Sequence, residues 1–201
     1  MSNRWCEIEF LINFINKITQ VSLFNILTLF FQTISGNPHI RFRLCQFVNM
    51  ILNALGQEAA LDDAICDRIM EYMMDRLRDV APHVRVQAIL AMQRLQVPDN
   101  PNDPVLRAYQ FHLCSDPSPR VRQAVITCMG RNYHTIPYIL DRLWDIDEKV
   151  RRHTYLHMSS YPVRSYKVSQ RLSLLEQGLS DRSEAVKKVV VTIMLQQWIE
   201  S

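Results

Sequence analysis

Four copies of one short pattern constrain this sequence more than any other feature. In each copy an aspartate lies five residues before a valine, and the valine is followed by arginine or lysine. The copies are Asp79 with Val84-Arg85, Asp116 with Val121-Arg122, Asp145 with Val150-Arg151, and Asp181 with Val186-Lys187. Their spacings of 37, 29 and 36 residues are typical of repeat proteins. A degenerate fifth copy, Ile40-Arg41, lies 44 residues before Val84.

Each copy marks the start of an amphipathic helix. After each valine the apolar residues recur at helical spacing, and a second helical pattern precedes each aspartate. The sequence holds only 4 glycines in 201 residues, which favours helices over tight-turn-rich β folds. One helical pair is too small to bury its own apolar face, so neighbouring pairs must stack. We therefore predict an all-α solenoid of about five helical pairs. The aspartate in the turn with Val-Arg at the start of the second helix resembles the signature of HEAT repeats, which implies a HEAT-repeat α-solenoid.

The turn between the paired helices explains the aspartate. Its carboxylate is placed to accept hydrogen bonds from unpaired backbone amides at the start of the second helix. The arginine that follows the valine is placed to pair with this carboxylate. Pro82, Pro117 and Pro119 fall in the same turns, where a missing amide hydrogen costs little.

The chain divides into an N-terminal helical pair over 1–37 and a HEAT-repeat region over 38–201. Helices are expected near 5–19 and 21–34 in the first part. In the second part the spacing of Val168, Leu172, Leu175 and Leu179 predicts a helix near 163–179. The longest expected loop is 96–104, whose three prolines bar a helix from crossing it. Residues 10–34 are too polar to span a bilayer, so no membrane partner is expected. The five cysteines include no close pair and indicate buried, reduced thiols of an intracellular protein.

Several longer strings resemble one family of HEAT-repeat proteins. They are Ile40-Arg41-Phe42-Arg43-Leu44-Cys45, Val84-Arg85-Val86-Gln87-Ala88 with Arg94-Leu95-Gln96, Pro104-Val105, Gln170-Arg171-Leu172, Gly178-Leu179-Ser180-Asp181-Arg182-Ser183, and Trp198. In this order they are similar to the G subunit of condensin, whose members continue for many more repeats after this point. The resemblance implies a non-catalytic subunit that acts in mitotic chromosome condensation. It also implies two direct partners, the kleisin subunit of condensin and duplex DNA. The SMC ATPase subunits would be joined through the kleisin. The implied location is the nucleus and chromosomes, with a cytoplasmic pool.

Charge is uneven along the chain. Residues 120–188 carry 13 basic and 7 acidic side chains, whereas residues 1–119 carry 10 and 12. A row of cations at the starts of the second helices could meet phosphates along a duplex without reading base sequence. The candidate phosphate contacts are Arg41, Arg43, Arg120, Arg122, Arg151, Arg152, Lys187 and Lys188. The alternative for Arg122, Arg151 and Arg85 is a structural pairing with the turn aspartate. Arg43, Arg120, Arg152 and Lys188 are not required by the turn and are the stronger candidates.

Enzymatic and metal sites have weak support. No glycine-rich phosphate loop and no nucleophile turn occur, so no small-molecule substrate or cofactor is expected. His153 and His157 are four residues apart but have no further ligand nearby, so no metal is expected. Trp144-Asp145 suggests a base-excising HEAT-like enzyme, but Asp145 occupies the repeated turn position.

Two further interpretations stay open on the sequence. One is a general HEAT adaptor that binds peptide segments of protein partners in its concave face. The other concerns Ser118, which precedes Pro119 and is either a simple turn residue or a proline-directed phosphorylation site.

Overall fold

Helices make up the regular structure of the described chain. A computed structural model describes residues 36–54 and 62–200, and within them every regular element is helical. The α-helices, in chain order, are α1 (Pro38–Ala54), α2 (Asp63–Leu77), α3 (Pro82–Met92), α4 (Pro104–Ser115), α5 (Pro119–Cys128), α6 (Ile136–Leu140), α7 (Glu148–Ser159), α8 (Val168–Leu179), α9 (Glu184–Val189) and α10 (Leu195–Glu200). A 3₁₀ turn (Asp141–Trp144) follows α6, another (Val163–Ser165) precedes α8, and a π-helical segment (Val190–Met194) joins α9 to α10. The helices predicted at 5–19 and 21–34 lie outside the described residues.

The chain forms two compact units, Met1–Gln96 and Val97–Ser201. In the first unit α3 packs against both α1 and α2. The second unit contains three helical pairs: α4 packs on α5, the 3₁₀ turn that continues α6 packs on α7, and α8 packs on α9. Its second helices stack in the order α5, α7, α9. The division falls at the start of the predicted proline-rich loop. The predicted boundary between residues 37 and 38 stays a prediction.

The repeat valines are the centres of this packing. Val84, Val121, Val150 and Val186 all have no exposed surface. Each valine is the third residue of a second helix and lies in its first turn, as the sequence pattern predicts. Burying one such side chain contributes roughly 1.5–3 kcal/mol, so the four valines hold the pairs together as well as opening the helices.

Two expectations differ from the structure. The helix predicted to begin at residue 163 is a 3₁₀ turn, and α8 begins only at Val168. Tyr166 interrupts the helix because its ring is buried and its hydroxyl donates a hydrogen bond to the Met158 carbonyl, while its backbone is extended. The prediction of buried thiols holds for Cys45 and Cys128 but is wrong for Cys114 in α4, which is exposed.

One glycine is required by close packing. A Cβ atom placed on Gly178 in α8 would lie 2.6 Å from the Cγ2 of Val190 and 3.1 Å from the ring of Tyr155. Both neighbours are buried, Tyr155 in α7 and Val190 in the π-helical segment after α9. Gly178 therefore lets α8 approach the helices that it covers.

We expect Gly178→Ala to destabilise the protein by about 1–3 kcal/mol, because overpacking outweighs the better helix propensity of alanine. Thermal unfolding followed by circular dichroism measures the loss. Gly36→Ala is the matched control, since no atom lies within 4 Å of the added Cβ. An unfolding midpoint for Gly178→Ala equal to that of the control would contradict the argument.

Candidate nucleic-acid interface

The turn aspartates have the same hydrogen bond in each repeat. One carboxylate oxygen accepts from the backbone amide two residues later, at distances of 2.8 to 2.9 Å. That amide belongs to the residue that caps the second helix: Ala81, Ser118, Asp147 or Ser183. The predicted role of the aspartate in the turn is therefore correct, although the aspartate is not itself the cap.

The arginine of one repeat reaches the aspartate of the next. Arg122 donates from Nε and Nη2 to the two carboxylate oxygens of Asp145, at 2.8 and 2.7 Å. Arg151 holds Asp181 in the same way, at 2.8 and 3.0 Å. In the first unit Arg41 holds Asp79 through the same two nitrogens. We call these three ion pairs the arginine–aspartate series.

The partner of the arginine differs from the predicted one. Arg122 and Arg151 do not pair with the carboxylate of their own turn, and instead Nη1 donates to the backbone carbonyl of that aspartate, at 2.7 and 2.9 Å. Arg85 makes the same bond to the Asp79 carbonyl at 2.8 Å. Arg122 and Arg151 each lie six positions after the aspartate of their own turn, so Nη1 bonds to that turn while Nε and Nη2 bond to the aspartate of the next pair. These two arginines therefore each link two repeats.

The series engages three of the eight candidate phosphate contacts. Arg122 and Arg151 are buried, and the Arg41 side chain is 12% exposed. Lys187 is half-buried and pairs with Glu184 at 2.7 Å. Arg43 is exposed, but its Nη1 donates to the Gln46 side chain at 2.7 Å. Three candidates remain exposed with no ion pair in the described structure: Arg120, Arg152 and Lys188.

Lys149 belongs with these three, and the sequence analysis missed it. It is exposed in the first turn of α7, one residue before Val150, as Arg120 is one residue before Val121 in α5. Aligning the copies on their valines would have found it. We call Arg120, Lys149, Arg152 and Lys188 the helix-start cations.

Stacking places the helix-start cations near one another. They lie in the first turns of α5, α7 and α9 or just beyond, and these helices stack in that order within the second unit. Neighbouring helices pack about 8–10 Å apart, so a cation recurs on that scale along the stack. Two carboxylates, Glu148 and Glu184, lie at the same helix starts, and Glu184 is paired with Lys187. The surface is therefore cationic at spacings that suit a polyanion.

The remaining candidates from the sequence are His153 with His157, considered for metal binding, and Trp144-Asp145, considered for base excision. His153 Nε2 lies 2.8 Å from the Thr127 hydroxyl, and burial, with His153 and Arg131 nearby, lowers the pKa of His157 to about 4. Among the described residues no group of three potential ligands could hold a metal ion. Asp145 is buried in its ion pair with Arg122, while Trp144 is 71% exposed. None of the described helices is long and apolar enough to cross a membrane.

Comparison with known proteins places the chain in a family. Residues 36–139, just over half of the sequence, match the family model of the sister chromatid cohesion protein PDS5. Full-length relatives named condensin complex subunit 3 are 42% identical in Xenopus laevis and 39% identical in Homo sapiens, over 80% of this chain. The chain belongs to the family of this model, as a homologue of condensin complex subunit 3. It spans 16% of the length of either relative.

A solved structure supports the same conclusion for the fold. A chain of the Schizosaccharomyces pombe condensin Cnd3-Cnd2 subcomplex matches 96% of this chain with a TM-score of 0.81 at 30% identity, and 26% of that chain is covered. The predicted resemblance to the G subunit of condensin is thus confirmed. The predicted fold class, an all-α HEAT-repeat solenoid, is confirmed as well.

We expect Arg122→Ala to destabilise the protein by about 3–5 kcal/mol, because Asp145 would remain buried without its two-nitrogen partner, with only Arg142 Nη1 nearby at 3.9 Å. Replacing both, as Arg122→Met with Asp145→Leu, should recover much of that loss. Arg152→Ala is the matched control and should change the free energy of unfolding by less than about 0.5 kcal/mol. Urea unfolding of the wild type, Arg122→Met, Asp145→Leu and the double variant gives the coupling energy of the pair. A coupling near zero would show that the pair does not link the repeats.

The ion pairs also predict a pH dependence. Burial opposes ionisation of Asp79 and Asp181, but hydrogen bonds from Arg41 and Arg151 outweigh it and hold the pKa of each carboxyl below its ordinary value of about 3.9. A lowered folded-state pKa stabilises the protein above the unfolded pKa, and this contribution is lost as pH falls through the folded value. We expect the midpoint temperature of thermal unfolding to decrease as the pH is lowered below about 4. Asp181→Asn should be less stable at pH 7 and show a flatter decline with acid.

Proposed function

We propose that this chain is part of a non-catalytic condensin subunit that binds the kleisin subunit and, without sequence specificity, duplex DNA. The observation that carries the proposal is the similarity to the condensin Cnd3-Cnd2 subcomplex together with the helix-start cations. Through the kleisin the protein would join the SMC ATPase subunits and act in chromosome condensation. Its location would be the nucleus and chromosomes, with a cytoplasmic pool.

The DNA contact is proposed for side chains outside the arginine–aspartate series. The guanidinium N–H groups of Arg41, Arg122 and Arg151 already donate hydrogen bonds to carboxylates and carbonyls. A phosphate could bind these groups only by displacing one of those hydrogen bonds. Arg120, Lys149, Arg152 and Lys188 are exposed, and nothing in the described structure neutralises them. Such cations bind phosphate by releasing condensed counterions, which makes affinity fall with salt. Arg43 is a further candidate in the first unit.

The sequence independence follows from what the surface offers. Reading a base edge requires a helix or strand that enters a groove with side chains in bidentate geometry. The helix-start cations instead sit at the starts of stacked helices, where they suit a backbone that carries one charge per about 1.7 Å. Binding to the backbone positions a duplex without distinguishing its sequence.

Charge reversal of Arg152 and Lys188 tests the DNA contact. We expect Arg152→Glu with Lys188→Glu to weaken duplex retention and to lower the slope of log affinity against log salt by about 2, one for each lost phosphate contact. Fluorescence anisotropy with two unrelated duplexes over a salt series measures both. Co-purification with a kleisin fragment should be unchanged.

The control reverses the same amount of charge elsewhere. Arg164 and Lys167 are exposed cations before α8, outside the helix starts of α5, α7 and α9. Arg164→Glu with Lys167→Glu should leave the salt slope close to that of the unaltered protein. Equal losses in the two double variants would show that net charge, not this surface, governs retention. No salt-sensitive retention by any of the proteins would instead favour a peptide adaptor.

A further inference from the structure

Two neighbouring turns of the second unit enclose a cleft. One side comes from the turn between α6 and α7, and the other comes from the end of α8 and the turn that follows it. The volume of the cleft is about 430 Å³, which lies within the range of small-ligand sites. The side chains are apolar on the first side (Leu143, Trp144 and Ile146) and polar on the second (Gln177, Ser180 and Arg182). We call this site the turn cleft.

Trp144 lies on the apolar side of the turn cleft and is not used by the fold. It is 71% exposed, and its indole makes no hydrogen bond and no ring contact in the described structure. Leu143, which is buried, supplies the packing of this turn. Ile146 is exposed as well, so two large apolar side chains meet solvent at one cleft, which is typical of a binding site. An exposed indole face is suited to stack on a flat ring.

One unpaired positive charge lies in the turn cleft. The Asp145 and Asp181 carboxylates that line it are each held by an arginine of the arginine–aspartate series. Arg182 is exposed and forms no ion pair in the described structure. Its Nη2 donates to the Ile146 carbonyl at 3.0 Å, which joins the two sides of the cleft and leaves the other N–H groups free. The cleft therefore suits a ligand that carries negative charge beside an apolar ring.

The polar side of the turn cleft offers hydrogen bonds to the edge of such a ring. The Gln177 side chain makes no hydrogen bond in the described structure, so its amide keeps both a donor and an acceptor. The Ser180 hydroxyl donates to the Glu176 carbonyl, and its oxygen can still accept. Nucleobases present donors and acceptors around a flat ring. The exposed carboxylates of Asp141 and Glu148 do not line the cleft.

We propose that the turn cleft binds an unpaired base of single-stranded DNA. The base stacks on Trp144, Gln177 faces its edge, and Arg182 pairs with an adjoining phosphate. Lys149, a helix-start cation, lies three residues after Ile146, so a strand that leaves the cleft meets the proposed DNA surface. These two cations favour a strand of phosphates over a peptide as the occupant. A duplex cannot use the cleft, because its bases are already paired and stacked. The path of the strand rests on the proposed function, whereas the base site does not.

The base site is tested with two labelled strands of equal charge. One is an oligothymidylate of about 16 nucleotides, and the other is an abasic deoxyribose-phosphate strand of the same length. Fluorescence anisotropy measures the affinity of the full chain for each strand. We expect the oligothymidylate to bind about tenfold more tightly, which is the effect of stacking one base. Trp144→Ala should remove this preference, and Trp144→Phe should keep most of it. Equal affinity of the wild type for the two strands, or an unchanged preference in Trp144→Ala, would overturn the proposal.

Tyr133→Ala is the matched control. Tyr133 is an exposed aromatic residue before α6 that does not line the turn cleft, so its loss should leave the preference intact. Arg182→Gln should lower the salt slope for the oligothymidylate by about 0.7, one phosphate contact, and leave the slope for a duplex unchanged. Loss of the preference in Tyr133→Ala to the same extent as in Trp144→Ala would place the stacking outside the cleft and refute the site.

A duplex of the same length separates the fate of the base site from that of the proposed function. If the chain binds the duplex but does not prefer the strand with bases, the base site fails and the proposed function stands. If Trp144 is needed for strand binding and no duplex binds, the proposed duplex contact fails and the base site stands. If neither DNA binds, both fail, and a peptide segment of a protein partner becomes the better occupant.

Discussion

The bond between an arginine of one helical pair and the aspartate of the next is the interaction on which the repeat depends. A helical pair can be held to its neighbour by apolar packing alone, but such packing does not fix how far one pair slides along another. A bidentate guanidinium–carboxylate contact does, because two parallel hydrogen bonds tolerate little displacement. In Arg122–Asp145 and Arg151–Asp181 the same aspartate also closes the turn of its own pair, so turn geometry and stacking register are set by one carboxylate.

The arginine–aspartate series divides the basic residues into two groups, those that hold the repeats together and those that stay exposed. In three copies the recurring basic position, Arg41, Arg122 or Arg151, carries a guanidinium that is held against a buried carboxylate, and a buried charge must keep its partner. The proposed contact with a polyanion then falls to positions that vary between copies, where a basic residue costs the fold nothing. Arg120 and Lys149 precede their valines, whereas His83 and Ala185 occupy the same position in other copies. The repeat supplies the spacing, and the variable positions supply the charge.

Periodicity in the sequence predicts the features that depend on one helix alone. It does not predict contacts that depend on which neighbouring helix packs against it. The helix starts, the turns and the burial of Val84, Val121, Val150 and Val186 all follow from local pattern. The pairing of Arg122 with Asp145 does not, because nothing within one copy distinguishes its own carboxylate from that of the next. The stripe of Val168, Leu172, Leu175 and Leu179 indicates a helix correctly, yet Leu175 is only half-buried and the other three are exposed. Leu174 and Gly178 are the buried residues of this helix instead. Spacing shows which residues share a face but not what covers that face.

The arginine–aspartate series also explains how repeats of unequal length can stack alike. The partners are 38, 23 and 30 residues apart in sequence, yet each pair keeps the same two-nitrogen contact. The shortest interval contains α6, a single short helix that continues as a 3₁₀ turn before Asp145. Because the contact joins the start of one second helix to the turn that precedes the next, the first helix between them can shorten without moving either partner. Length can therefore vary in the first helices while the second helices, with the helix-start cations on them, stay in register.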